Sequence, residues 1–357
     1  MSDLRTFAFY LPQFHPIPEN NLWHGEGFTE WTNVGKAKPL FSGHYQPKVP
    51  ADLGYYDLRV EETREKQAEL ARYAGIEGFV YWHYWFGGGK KLLEKPIYDV
   101  LTSKKPSFPF CFAWANDSWK GIWHGTAEHK MLIEQTYPGK QDVIDHFYHN
   151  LPYFQDERYI KIDDKPLFMI YKPLDLPESN FFIEIWNELA IKNGLKGIFF
   201  VGQAVSMSEV PLMRNIKLDA INIVRLGYAE QKIQNRYFRY FKRFLKLPRV
   251  VDYKDIYKYF VGEEELDDFY LPTIIPNWDH SPRSGTHALI LHNSNPQVFE
   301  KHLTSVVNIL DAKSANRKVA FVKSWNEWAE GNYLEPDLRY GKGYLEVFRK
   351  ILINGER

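Results

Sequence analysis

Arg317-Lys-Val-Ala-Phe-Val-Lys-Ser-Trp-Asn-Glu-Trp-Ala-Glu-Gly331 runs from a short apolar, β-branched stretch straight into a polar, aromatic turn. The first half reads as a buried strand. Glu327 and Glu330 stand just past its C-terminal end, with Trp325 and Trp328 beside them and Gly331 to turn the backbone. In a strand, side chains three apart point to opposite faces. On a helical turn they share a face, with Cβ atoms roughly 5–6 Å apart. Paired carboxylates suit glycoside chemistry, in which one protonates a leaving oxygen and the other acts as base or nucleophile. A capped surface turn with two solvated glutamates fits the same residues, because E-x-x-E alone is not specific. The rest of the chain decides between the two.

Seven further apolar runs of strand length precede this one. They are Thr6–Leu11, Gly78–Tyr84, Pro109–Trp114, Pro166–Tyr171, Gly197–Val201, Ala220–Val224 and Tyr270–Ile275. Helical patterns lie between many of them, over Val60–Tyr73, Asp142–Phe154, Asn180–Asn193 and Pro296–Ala312, with stop signals at Gly75 and Gly194. Eight strand-then-helix units predict an α/β fold, a single (β/α)8 TIM barrel with long βα loops over residues 1–357. A doubly wound open sheet would carry a glycine-rich turn after the first strand, where this chain reads Pro12-Gln-Phe-His15. P-loop and H-E-x-x-H patterns are absent too. Two segments exceed ordinary connections. A long loop at about 13–54 is expected to be a lid or wall of the site, and a helical insertion is expected at about 228–268. Within the insertion, Lys232, Arg236, Arg239, Arg243 and Lys246 recur at helical spacing opposite Tyr237, Phe241, Phe244 and Leu245. A solvated barrel helix accounts for that pattern. Docking on an anionic membrane or a polysaccharide-assembly partner is the sharper reading.

Composition bounds the function. Lys+Arg 45 against Asp+Glu 45 leaves no net charge, so no nucleic-acid partner is implied. Cys111 is the single cysteine, which rules out an intrachain disulfide and a cysteine zinc cluster. His83 has no second ligand at metal-binding spacing, so no metal and no cofactor are expected. Met-Ser-Asp-Leu-Arg5 has no apolar leader pattern and no membrane-length apolar run follows, so a soluble, cytoplasmic chain is expected. The excess is aromatic, with 11 Trp and 23 Tyr, many of them beside polar residues. Such surfaces suit flat, amphipathic ligands.

Active sites of this barrel lie at the C-terminal ends of the strands. Those ends carry Tyr10 and Gln13; His83, Tyr84 and Trp85; Trp114, Asn116, Asp117 and Trp119; Tyr171 and Lys172; Gln203; Arg225; Asn277 and Trp278; and Trp325, Asn326 and Trp328. The long loop adds Trp23, Glu30 and Trp31. Sugar rings stack on indoles, and their hydroxyls need amide, carboxylate, imidazole and ammonium partners. A polysaccharide or oligosaccharide site is therefore expected, with Trp85, Trp114, Trp119 and Trp278 around one cleft that also holds Glu327 and Glu330.

Phe7-Ala-Phe-Tyr-Leu-Pro-Gln-Phe-His15, Gly27-Phe-Thr-Glu-Trp-Thr-Asn-Val34, His44-Tyr-Gln-Pro47 and Asp52-Leu-Gly-Tyr-Tyr-Asp57 resemble the WbsX-like family. So do Trp82-His-Tyr-Trp85, Trp114-Ala-Asn116 and Ser324-Trp-Asn-Glu-Trp-Ala-Glu-Gly331. That family is associated with O-antigen, lipopolysaccharide and other bacterial polysaccharide biosynthesis. It is similar in turn to glycoside hydrolase family 99, the endo-acting α-mannosidases and mannanases on a (β/α)8 fold. The resemblance implies that Glu327 deprotonates a sugar 2-hydroxyl, whose oxygen displaces the leaving group to form a 1,2-anhydro sugar. It implies that Glu330 is the general acid and then the base. The leading expectation is a retaining glycoside hydrolase cleaving a bacterial surface polysaccharide. The alternatives are a glycosyltransferase or transglycosylase in polysaccharide biosynthesis, and a non-catalytic glycan-binding barrel.

Overall fold

The computed structural model describes residues 4–121, 131–234, 237 and 244–356. The eight apolar runs become eight strands: β1 (Arg5–Tyr10), β2 (Gly78–Trp85), β3 (Phe110–Trp114), β4 (Lys165–Ile170), β5 (Phe199–Ala204), β6 (Ala220–Ile223), β7 (Tyr270–Ile274) and β8 (Val319–Val322). Each pairs in parallel with the next in sequence. β8 also pairs with β1, where Phe7 lies opposite Phe321 on one side and Gly78 on the other. The sheet is therefore a closed parallel barrel. Its strands are buried on both faces, which is why they read as continuous apolar runs without alternation.

The four expected helices appear at Glu61–Ala74, Lys140–Phe154, Ser179–Lys192 and Pro296–Asp311, packed around the barrel. Gly75 ends the first in the left-handed region at φ 83°, where a side chain would be strained. Alternation along the strands divides inward from outward residues. Phe168 and Phe200 pack on Trp186 of the helix layer. Met169, one residue on from Phe168, and Gln203, three on from Phe200, point the other way, into the barrel, where they meet.

Two segments differ from expectation. The stretch at about 13–54 is not a loop throughout. It folds into helices Pro18–His24 and Glu30–Lys36, the second opened by a capping box at Thr29. Trp31 fastens it to the barrel by donating from Nε1 to the Tyr56 carbonyl at 2.7 Å. The region at about 228–268 is not wholly helical. After the helix Leu226–Ile233 it carries a strand, Arg249–Asp252, that pairs in parallel with Leu289–His292 outside the barrel. Arg236, Arg239, Phe241 and Arg243 of the basic stripe lie outside the described residues. No described helix is long and apolar enough to cross a membrane.

Candidate active site

β8 delivers the catalytic candidates. After Val322 the chain crosses the barrel mouth, and Asn326–Glu327 pairs antiparallel with Asn332–Tyr333. Trp328–Glu330 between them is a single 3₁₀ turn. Side chains three apart eclipse on such a turn, so Glu327 and Glu330 face the same way. Gly331 closes it at φ 56°, and a Cβ there would stand 2.8 Å from Asp279 Cβ and 2.9 Å from the Asp279 amide nitrogen. That amide donates to the Glu330 carbonyl at 2.7 Å, tying the turn to the segment after β7.

Both carboxyls open into a cavity of about 400 Å³ at the barrel mouth. Trp82 Nε1 donates to Glu327 Oε1 at 2.8 Å. Arg283 Nη1 donates to Glu330 Oε1 at 2.5 Å, and Arg283 Nη2 lies 2.9 Å from Glu30 Oε2. Arg283 and Glu30 are both buried, at 8 % and 2 % exposure. One guanidinium thus serves two carboxylates. Burial, then the neighbouring Glu330, holds Glu327 well above the usual carboxylate range. Burial pushes Glu330 upward as well, yet Arg283 and Lys323 hold it below its ordinary value. The two carboxyls are thus pushed in opposite directions, as close carboxyls in a dry site are.

Of the expected residues, Gln13, Glu30, Tyr84, Asp117, Trp119, Tyr171 and Lys172 line this cavity with the two glutamates. Trp119, half-buried, is its aromatic wall, with Tyr84 edge-on at 5.1 Å and Trp23 behind it at 6.0 Å. Lys172 pairs with Asp117 at 2.9 Å on the rim. The expected ring of four indoles does not form. Trp85 and His83 point outward onto His146, at 4.7 and 5.1 Å between ring centres. Trp114 stacks on Phe182 of a barrel helix. Trp278 packs beside His280, and only its neighbour Lys323, 5.3 Å above its ring, reaches the cavity. His83 Nε2 meets His146 Nε2 at 2.8 Å, and no metal-ligand cluster occurs among the described residues.

Other expected contacts turn out to be supports. Tyr10 donates to Gln67 on the outer face of β1. Asn116 bridges the Lys172 backbone through both amide ends. Gln203 donates to Asn222 inside the barrel, below the cavity. Arg225 is held by Glu264 and Glu265 from the 228–268 region. Asn277 bonds the Tyr333 backbone, Trp325 packs on Phe79, Trp31 packs on Trp328, and Asn326 clasps the Leu11 backbone. Trp328 donates to buried Glu335 at 2.6 Å, away from the cavity.

Three groups at this cavity were not singled out as site residues: Arg283, Lys323 and Trp82, the last quoted only within a longer motif. Strand alternation could have found Trp82, because Tyr84 and Trp82 share a face of β2 that His83 and Trp85 do not. Arg283 gives no local signal, since it binds a glutamate 253 positions away.

The sequence model of the family described as Glycosyltransferase WbsX matches residues 6–348. The WxcX proteins of two strains of Xanthomonas campestris pv. campestris are each 38% identical over 356 residues, covering 97% of this chain and 49% of theirs. The chain thus spans about half the length of the curated relatives it matches. Among solved structures, a GH99 endo-α-mannosidase from Bacteroides thetaiotaomicron superposes with a TM-score of 0.59 at 15% identity, over 100% of this chain and 98% of that one. A glycoside hydrolase-like protein does so with a TM-score of 0.61 at 16% identity, over 98% and 94%. These likenesses establish the shared barrel fold, and the match across nearly the whole sequence establishes the lineage: the chain belongs to the family described as Glycosyltransferase WbsX.

Proposed function

We propose that the chain is a retaining glycoside hydrolase acting on a bacterial surface polysaccharide. The observation that carries this reading is a pair of carboxyls on one turn, in an aromatic-walled cleft, one held above its ordinary range and the other below it. Acid–base catalysis at neutral pH needs one protonated and one ionised group. Glu327 takes the proton of the sugar 2-hydroxyl while that oxygen displaces the leaving group and forms a 1,2-anhydro sugar. Glu330 gives a proton to the leaving oxygen, then takes one from the water that opens the anhydro ring, while Glu327 returns its proton to the 2-oxygen as the ring C–O bond breaks. At rest the proton stands on Glu327, so the route requires it to pass to Glu330. The two carboxyls are hydrogen-bond neighbours, which makes that passage short. A substrate hydroxyl donating to Glu327 favours its ionised form and sends the proton across. The family description supports a second reading, in which a glycan hydroxyl replaces the water and the product is a transferred sugar.

Purified protein turned over on a polysaccharide panel, with Glu327→Gln and Glu330→Gln beside it, tests the proposal. General acid–base groups are worth about 10²–10⁴-fold in rate. Glu330→Gln should lose that factor on a natural glycan and much less in glycosylation from an activated aryl glycoside. Glu327→Gln should lose it on both, and 2-O-methylation of the substrate should abolish turnover by the unaltered protein. Full activity of Glu327→Gln, or turnover of the 2-O-methyl substrate, removes the mechanism.

A further inference from the structure

Glu30 lines the cavity but spends its carboxylate on Arg283. Three groups stand in line. Glu330 Oε1 meets Arg283 Nη1 at 2.5 Å, and Glu30 Oε2 meets Arg283 Nη2 at 2.9 Å and Nε at 3.3 Å. They come from three places in the chain: the turn after β8, the helix Ser281–Ser284 after β7, and the first residue of the helix Glu30–Lys36. All are deep in the protein, with side-chain exposures of 17 %, 6 % and 2 %. A guanidinium is always charged and cannot give up its proton to ease an imbalance. If Glu330 were its only partner, protonating Glu330 would strand a buried cation. With Glu30 in place, Arg283 keeps a counter-charge whichever state Glu330 is in.

Resting on the proposed acid–base role of the pair, we propose that Glu30 is a positioning residue that holds Arg283 so that Glu330 can receive and return the catalytic proton. When the proton moves from Glu327 to Glu330, Arg283 stays charged, weakens its bond to Glu330 and keeps its two contacts to Glu30. When Glu330 releases the proton to the leaving oxygen, Arg283 closes on it again. Nothing is consumed, since one proton changes place and the positive charge remains where it was. The other charged or titratable groups facing Glu330 are Lys323 at the end of β8, His280 after β7, Glu327 on its own turn, and the phenols of Tyr84 and Tyr171 from β2 and β4. Of these only Glu327 exchanges the proton. Arg283 also feels the charge of Glu327, but Glu30 meets it at two nitrogens and takes no part in the transfer, which makes Glu30 its steady partner.

Glu30→Gln tests this. Without the anion, Arg283 bears on Glu330 alone and holds it ionised more firmly. The basic limb of kcat/KM on a natural glycan should move down by about one pH unit or more. Activity there at pH 7 should fall at least tenfold, while glycosylation from an activated aryl glycoside falls far less. Glu30→Asp keeps the charge and should restore most of the limb, and it provides the same reading if Glu30→Gln does not fold. Carboxyl ¹³C titration, with Glu330 assigned from a Glu330→Gln sample, reads the same downward shift without turnover. Equal losses on both substrates with an unmoved limb and an unmoved Glu330 titration overturn the role of Glu30 and leave the function standing. A moved Glu330 titration in a protein whose Glu327→Gln form keeps full activity supports the Glu30 coupling and overturns the function instead.

Discussion

The turn at 327–331 has two sides, and each holds buried carboxyls by a different means. On the cavity side, Glu330 and Glu30 share the guanidinium of Arg283. On the far side, Glu335 is 2 % exposed and accepts from Trp328 Nε1 at 2.6 Å, Gln67 Nε2 at 2.6 Å and Tyr56 Oη at 2.9 Å, all neutral donors. Burial pushes Glu335 up to about 7 in spite of those donors. Glu330, with its arginine, is held down. Neutral donors fix where a carboxyl sits but leave its charge to follow pH. An arginine fixes the charge as well. The proposed chemistry uses the first side, and the second side anchors the turn.

The largest effect should come from removing the cation. Arg283→Met takes from Glu30 and Glu330 the buried guanidinium they share, leaving Lys323 beside Glu330, which costs about 3–5 kcal/mol at pH 7. Both carboxyls then titrate high, the folded protein binds more protons than the unfolded chain, and stability returns as pH falls toward 5. A denaturant midpoint equally low at both pH values would place the loss elsewhere. Next comes Glu335. Its folded value of about 7 lies above the ordinary 4.5. The stability it contributes is fully present below the unfolded value and is lost as pH rises toward the folded one. That amounts to about 3 kcal/mol across the window. Glu335→Gln should flatten that part of the stability–pH curve, and an unchanged slope assigns it to other groups. The smallest effect is Trp328→Phe, which deprives Glu335 of one donor for about 1–3 kcal/mol. Its rate dependence on the leaving group should match that of the unaltered protein. A changed dependence would join the two sides into one unit.

Much of this was legible beforehand. A parallel barrel buries both faces of its strands, so the apolar runs give their positions to within three residues, closely at Val319–Val322 and least well at Phe199–Ala204. The spacing of Glu327 and Glu330 gave their shared face. The aromatic ring failed for a reason visible at β2. Being near a strand's end does not say which way a side chain points, and Trp85 and Trp114 went to the helix layer while Trp82 went to the site. Arg225 was placed at the mouth because it follows the sixth strand, and its partners, Glu264 and Glu265, sit in a segment whose pattern gives no sign of the pairing. Arg283 was missed because charge pairs across hundreds of positions leave no trace in local pattern.

The Asn326 side-chain oxygen accepts from the Leu11 amide at 2.7 Å and its nitrogen donates to the Leu11 carbonyl at 3.0 Å, across 315 positions. Closing a loop of that length costs chain entropy that no early local contact offsets. The cleft is therefore among the last parts of the molecule to form. A nascent chain has no working site until β8 docks against β1. Exposed apolar strands awaiting that event are the period in which such a chain is open to misassembly.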